Sequence, residues 1–261
     1  VMGLCYKRGI GVERNLEKSV EYFLISAKLG FAAGQYNLGV AFLAGIGISK
    51  DYKKSVLWLE KAVKQDYATA FGALGMCYRD GKGVTKNLIK GFELTQIAAS
   101  QGCVLFQYEL GNCYYNGCGT KQNYKQAVYW YQISANQGCA NAQFSLGNCY
   151  ANGTGVRQNY KEAVYWYRKS ANQGYAKAQN NLGNCYKYGN GCEKSLELAV
   201  DLFLKSSEQG NIKAFCNLAI CYEEGTGVEK NFETAIAYYR KAANQGDKFA
   251  EEKLMKLEQN K

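Results

Sequence analysis

The chain of 261 residues contains no histidine and no proline, and only three methionines and three tryptophans. Without histidine it lacks the side chain that most often serves as general base, metal ligand and pH switch near neutrality. Serine and cysteine triads, histidine-bearing zinc sites and zincin motifs are thereby excluded. Without proline there are no rigid linkers, and nothing in the composition marks a flexible boundary between separate globules. No run of about 18 apolar residues is present, so no membrane span is expected. What is present is core-forming: 29 glycines, 22 tyrosines, 11 cysteines and a formal charge of +10 in a chain that is 47% hydrophobic. That composition belongs to a folded chain.

One period organises the sequence. Leu146, Gly147, Asn148, Cys149 and Tyr150, followed by Gly153 and Gly155, recur as Leu182 to Tyr186 with Gly189 and Gly191, and as Leu110 to Tyr114 with Gly117 and Gly119. Weaker copies complete a series anchored at Gly3, Gly39, Gly75, Gly111, Gly147, Gly183 and Ala219, each step being 36 residues. Self-similarity of this length is the mark of a repeat architecture. The pattern predicts a single repeat domain over residues 1–261, with a partial first repeat from residue 1 and a capping helix over about residues 248–261. The partial first copy reads as a piece of a longer chain.

Each unit reads as two short helices. Between Ala140 and Asn152, the residues Ala142, Leu146, Gly147 and Tyr150 share one face and define helix A. The following Gly-x-Gly supplies positive-φ positions that stop a helix. A capping residue then opens helix B at Asn15, Asp51, Asn87, Asn123, Asn159, Ser195 or Asn231. Asn159 with Glu162, and Asn123 with Gln126, have capping-box spacing. Ala163, Val164, Trp166, Tyr167 and Ala171 form the apolar face of helix B, which ends at Gly174; Gly30, Gly102, Gly138, Gly210 and Gly246 match that stop. Helices this short are marginal alone, so the pairs must stack into an α-solenoid.

The assembled pattern, A-x-A-Q-x-x-L-G-x-x-Y-x-x-G-x-G-V followed by A-V-x-W-Y-x-K-x-A-x-x-G, resembles the Sel-1-like repeat family, a relative of the tetratricopeptide repeats. It is best matched over Ala140–Gly174 and Ala176–Gly210. Departures are Gly91, Gly72, Phe106, Ala219, and the pair Ala41 and Phe42. The resemblance implies an all-α, right-handed superhelix acting as an adaptor or scaffold for other proteins. It also implies that helix A lines the concave side. A cysteine-rich branch of the family binds or slowly hydrolyses β-lactams, which makes that activity a lesser alternative here.

Six cysteines, Cys5, Cys77, Cys113, Cys149, Cys185 and Cys221, occupy one repeat position. Equivalent positions in stacked helices lie about 8 to 10 Å apart, beyond the roughly 7 Å at which a disulfide closes. They read as small buried apolar side chains in a reducing, cytoplasmic compartment, the alternatives being a secreted effector or the periplasm. No metal site and no cofactor site is expected, since clustered ligands are absent. The glycine loops lack phosphate-loop spacing, and no Ser-x-x-Lys occurs. Trp58, Trp130 and Trp166 share a helix-B position with Tyr22 and Tyr238 and are expected in the core.

If Leu146, Gly147 and Tyr150 face inward, the flanking positions face a partner. The expected binding residues are Tyr108, Asn112, Tyr115 and Asn116; Phe144, Asn148 and Asn152; and Asn180, Asn181, Asn184, Lys187 and Tyr188, with Glu109 and Ser145 beside them. Asparagine both donates and accepts, so such a ladder suits the backbone of an extended peptide. Residues 1–109 carry 14 basic and 9 acidic side chains, residues 110–192 carry 8 and 1, and residues 193–261 carry 10 and 12. An acidic partner protein or peptide is therefore favoured at the middle repeats. A single-stranded RNA reader is the alternative, although the cations show no single column across all copies. A hydrolase has no visible nucleophile and base pair, and no small-molecule substrate is expected.

Overall fold

The computed structural model describes residues 1–259, and among them every regular element is an α-helix. In chain order these are α1 (Met2–Arg8), α2 (Leu16–Lys28), α3 (Ala32–Ala44), α4 (Tyr52–Val63), α5 (Ala68–Asp80), α6 (Leu88–Ser100), α7 (Val104–Asn116), α8 (Tyr124–Asn136), α9 (Ala140–Asn152), α10 (Tyr160–Asn172), α11 (Ala176–Tyr188), α12 (Leu196–Ser207), α13 (Ile212–Glu224), α14 (Phe232–Ala243) and α15 (Lys248–Gln259). Odd-numbered helices up to α13 are the A helices and even-numbered ones the B helices. The expected capping helix is α15, and its last two expected residues lie outside the described residues. The chain divides into two compact units, Val1–Ile133 and Ser134–Lys261.

Local chemistry sets the helix ends. Asn15, Asp51, Asn87, Asn159, Ser195 and Asn231 each accept a bond from a backbone N–H in the first turn of helix B, and Asn123 accepts from the Gln126 N–H at 3.1 Å. Each such cap stabilises its helix by about 1 kcal/mol. Helix A stops on a left-handed glycine in every repeat, Gly153 at φ 72° being typical. The B-helix stop of the second repeat departs from the glycine pattern: Asp66 takes the left-handed conformation at φ 58° and accepts a bond from the Gln101 amide at 2.8 Å.

In the first unit the core forms between the two helices of a repeat, as where Gly39 meets Leu59, and between helix B of one repeat and helix A of the next. Val20, Phe23 and Ala27 pack with Leu38, Ala41 and Phe42. Val56, Leu59 and Ala62 pack with Ala70, Ala73, Leu74 and Cys77. Two departures from the repeat pattern compensate each other here. The Phe106 ring occupies the space a side chain on Gly72 would need, and Phe106 is buried. Gly91 in turn lets α6 approach α5, since a Cβ there would lie 3.0 Å from the Gly75 carbonyl oxygen. Tyr22 departs from the expected aromatic core: it is 38% exposed and stacks one face on Tyr6, with ring centroids 5.5 Å apart. Trp58 is half-buried.

The second unit repeats the scheme. Ala163, Val164, Tyr167 and Ala171 pack with Ala178, Leu182 and Cys185, and Ala199, Val200 and Phe203 pack with Leu218 and Cys221. Trp166 is buried as expected. Buried glutamines tie the layers together. Gln143 donates to the Ala135 carbonyl at 3.1 Å and accepts from Gln173 at 2.8 Å. Gln179 accepts from Gln209 at 2.9 Å in the same way. A buried amide left without these partners would cost about 1–3 kcal/mol.

Candidate functional site

The expected binding residues lie on α7 in the first unit and on α9 and α11 in the second. On α7, three of them converge on one helix-B residue, Tyr131. Its hydroxyl donates to Asn112 Oδ1 at 2.8 Å, and the rings of Tyr108 and Tyr115 stand 5.9 and 6.4 Å from its own. Asn116 turns back and donates to the Asn112 carbonyl of its own helix at 3.0 Å. Glu109 is held by Arg79 at 2.9 Å. Burial pulls the Arg79 guanidinium down, but bonds to Glu109 and Asp80 outweigh it and leave it above its ordinary value.

On α9, α11 and α13 asparagines bond to one another. Asn217 donates to Asn180 Oδ1 at 2.9 Å, Asn180 to Asn181 Oδ1 at 3.3 Å, and Asn181 to Asn148 Oδ1 at 3.1 Å. The Tyr167 hydroxyl also donates to Asn148 Oδ1, at 2.7 Å. Burial pushes the Tyr167 phenol above its ordinary value, so it stays a donor. With two donors on its oxygen, Asn148 has only its amide N–H groups to offer a ligand. Asn180 is corrected as a partner-facing residue: it is 2% exposed, because its amide serves as a link of this relay.

The remaining residues are more open. Phe203 stands 19 residues after Asn184, where Asn112 and Asn148 have tyrosines, so that helix-B position offers Asn184 no hydroxyl. Asn152 is exposed at the end of α9, Lys187 is half-buried, and Tyr188 is 64% exposed with the Lys187 ammonium 5.6 Å from its ring. Phe144 packs on Tyr167 and Tyr175. Sequence reasoning missed Tyr131, Tyr167 and Asn217. A signal existed for the first two, since a helix-B tyrosine stands 19 residues after Asn112 and after Asn148; Phe203, 19 residues after Asn184, breaks the rule.

All eleven cysteines are free thiols. Burial pushes Cys77, Cys113, Cys149 and Cys185 up to about 11, so they are neutral and unreactive at ordinary pH. Among the described residues no group of three or more Cys, Asp or Glu side chains is arranged to hold a metal ion. No described helix is long and apolar enough to cross a membrane.

A family model described as Sel1 repeat matches residues 1–31, 32–67, 73–103, 104–139, 140–175, 176–211 and 213–247. No curated protein matches the chain. Among solved structures the chain is similar to c5321, a protective antigen of uropathogenic Escherichia coli displaying an SLR fold. Identity is 35% over 97% of this chain and 54% of that one, with a TM-score of 0.80. It is also similar to a Sel1 repeat protein from Oxalobacter formigenes, with 28% identity over 98% of this chain and 74% of that one and a TM-score of 0.78. With the immunity protein Pa5087 of Pseudomonas aeruginosa it shares the fold alone, at 21% identity over 82% of this chain and 83% of that one and a TM-score of 0.55. The chain spans about half the length of c5321. The fold is thus an all-α solenoid of seven repeats.

Proposed function

The chain belongs to the Sel1 repeat family, and from that premise we propose that it is a non-enzymatic scaffold whose A helices, α7 in the first unit and α9 and α11 in the second, take up extended, acidic segments of a partner protein. Repeats of this family serve generally as protein-interaction scaffolds. The observation that carries the reading is the engagement of the Asn112 and Asn148 carbonyl oxygens by buried tyrosine hydroxyls. Each amide is thereby oriented with its N–H groups as the part left for a ligand, and such a donor suits the backbone carbonyls and carboxylates of a peptide. Aromatic and cationic neighbours, Tyr115 in the first unit and Lys187 and Tyr188 in the second, add apolar contact and charge. Eleven free thiols support a reducing, cytoplasmic compartment.

Asn112→Asp and Asn148→Asp test it together. Aspartate keeps an oxygen for each tyrosine hydroxyl but removes the N–H donors and adds negative charge. Affinity capture from the native cell extract, read by mass spectrometry, should lose its specific partner in this double variant while the helical circular-dichroism spectrum is unchanged. Undiminished capture would move the site off this face.

A further inference from the structure

In the first unit the positive charge is gathered on one edge, the one formed by the A-to-B connections. Residues 7–18, 44–54, 80–90 and 116–126 hold 12 Lys or Arg against 4 Asp or Glu, whereas the rest of residues 1–133 holds 4 against 5. Two cation rows recur there with the repeat. The first is Arg14, Lys50 and Lys86, each immediately before a helix-B cap. Their side-chain stems lie against the glycines that end helix A: a Cβ built on Gly9 would meet Arg14 Cβ at 3.5 Å, and one on Gly81 would meet Lys86 Cβ at 3.3 Å. The second row is Lys18, Lys54 and Lys90, in the first turn of α2, α4 and α6. Their ammonium groups stand 5.7, 5.7 and 4.2 Å from the ring centroids of Tyr6, Phe42 and Tyr78. The fixed contacts hold both rows in register from repeat to repeat.

We propose that these two rows form a second docking strip, separate from the helix-A face, for an extended acidic segment of a partner protein. Charge complementarity points to an acidic occupant, and the details point to a peptide. Ten of the 12 cations on this edge are lysines, compact charges that attract carboxylates without the fork that arginine offers to phosphates. Single-stranded RNA would also need open aromatic faces for its bases. Here the rings under the second row are covered, with lysines over Tyr6, Phe42 and Tyr78 and Tyr22 stacked on Tyr6, and the two exposed rings of the edge, Tyr52 and Tyr124, stand two repeats apart and form no row of stacking faces. Acidic groups on the edge neutralise only part of the charge. Asp51 pairs with Lys54 at 3.2 Å and Asp80 with Lys82 at 2.9 Å.

A labelled oligo-glutamate peptide, followed by fluorescence anisotropy across a salt series, tests the strip. The triple variant R14Q/K50Q/K86Q should weaken binding about tenfold, corresponding to ~1.4 kcal/mol. K28Q/K61Q/K64Q, which removes the same charge outside the edge, should leave it within about twofold. Equal weakening by both triples would reduce the effect to net charge and overturn the proposal. Tighter binding of oligo-uridine or of phosphatidylserine vesicles through the same rows would overturn it as well. Partner capture by N112D/N148D tests the helix-A face on its own, and the row triple tests this strip on its own, so failure of the helix-A reading and failure of this one are separable. Circular dichroism of each variant checks that the fold is kept.

Discussion

The Tyr167 hydroxyl donates to Asn148 Oδ1 across 2.7 Å, joining helix B to helix A of the same repeat. The tyrosine is 3% exposed, so a hydroxyl without this acceptor would be buried and unpaired. Its ring is the packing element and its oxygen fixes the amide.

Tyr167→Phe removes the oxygen and keeps the ring, as Phe203 does naturally one repeat later. The lost hydrogen bond should lower stability by about 1 kcal/mol, seen as a fall of about 2–4 °C in the melting midpoint. The Asn148 amide, no longer held by the phenol, should show broader side-chain NH2 resonances in an NMR spectrum. An unshifted midpoint and unaltered resonances would mean the bond is absent in solution.

Gly147→Ala should break the same bond from the other side. A Cβ on Gly147 would stand 2.6 Å from the Tyr167 ring, forcing ring or helix to move at a cost of about 1–3 kcal/mol. The seventh repeat shows the alternative arrangement: Ala219 stands where the glycine would be, and the Tyr239 hydroxyl donates to Glu223 at 2.6 Å. Denaturation with urea should place Gly147→Ala below the parent in midpoint concentration.

The two kinds of turn glycine should respond unequally. Gly191 has φ 77°, and a Cβ there would run into the Tyr160 carbonyl of the neighbouring repeat. Gly174 has φ 83° but nothing lies near its Cβ direction. Gly174→Ala should therefore carry only the backbone cost, about 1 kcal/mol, and Gly191→Ala clearly more. Equal losses in thermal melting would contradict the inter-repeat contact.

Buried thiols make stability fall in alkali. Cys77, Cys113, Cys149 and Cys185 are pushed up to about 11 in the folded chain by burial, whereas an unfolded cysteine titrates near 8.5. Between those values the unfolded chain has released its thiol protons and the folded chain has not, so unfolding is favoured as pH rises. The melting midpoint should decline through this window, and less steeply in Cys149→Ala. At pH 8, a thiol reagent should count eleven groups in the denatured, unreduced protein and react with these four only slowly in the native one.

The 36-residue period, the helix pairs, the capping residues and most of the stops are legible in the sequence. Each rests on a local backbone preference: an Asn that satisfies an N–H two or three residues on, or a glycine that accepts a positive φ. What only the tertiary structure decided is what sits opposite what. Asn148 reads as an open rung until Tyr167 and Asn181, 19 and 33 residues away, are found on its oxygen. Gly72 and Phe106 read as separate departures until the ring is found filling the missing side chain's place. A polar or missing side chain takes its role from atoms brought against it by helix packing, and no spacing along the chain specifies those.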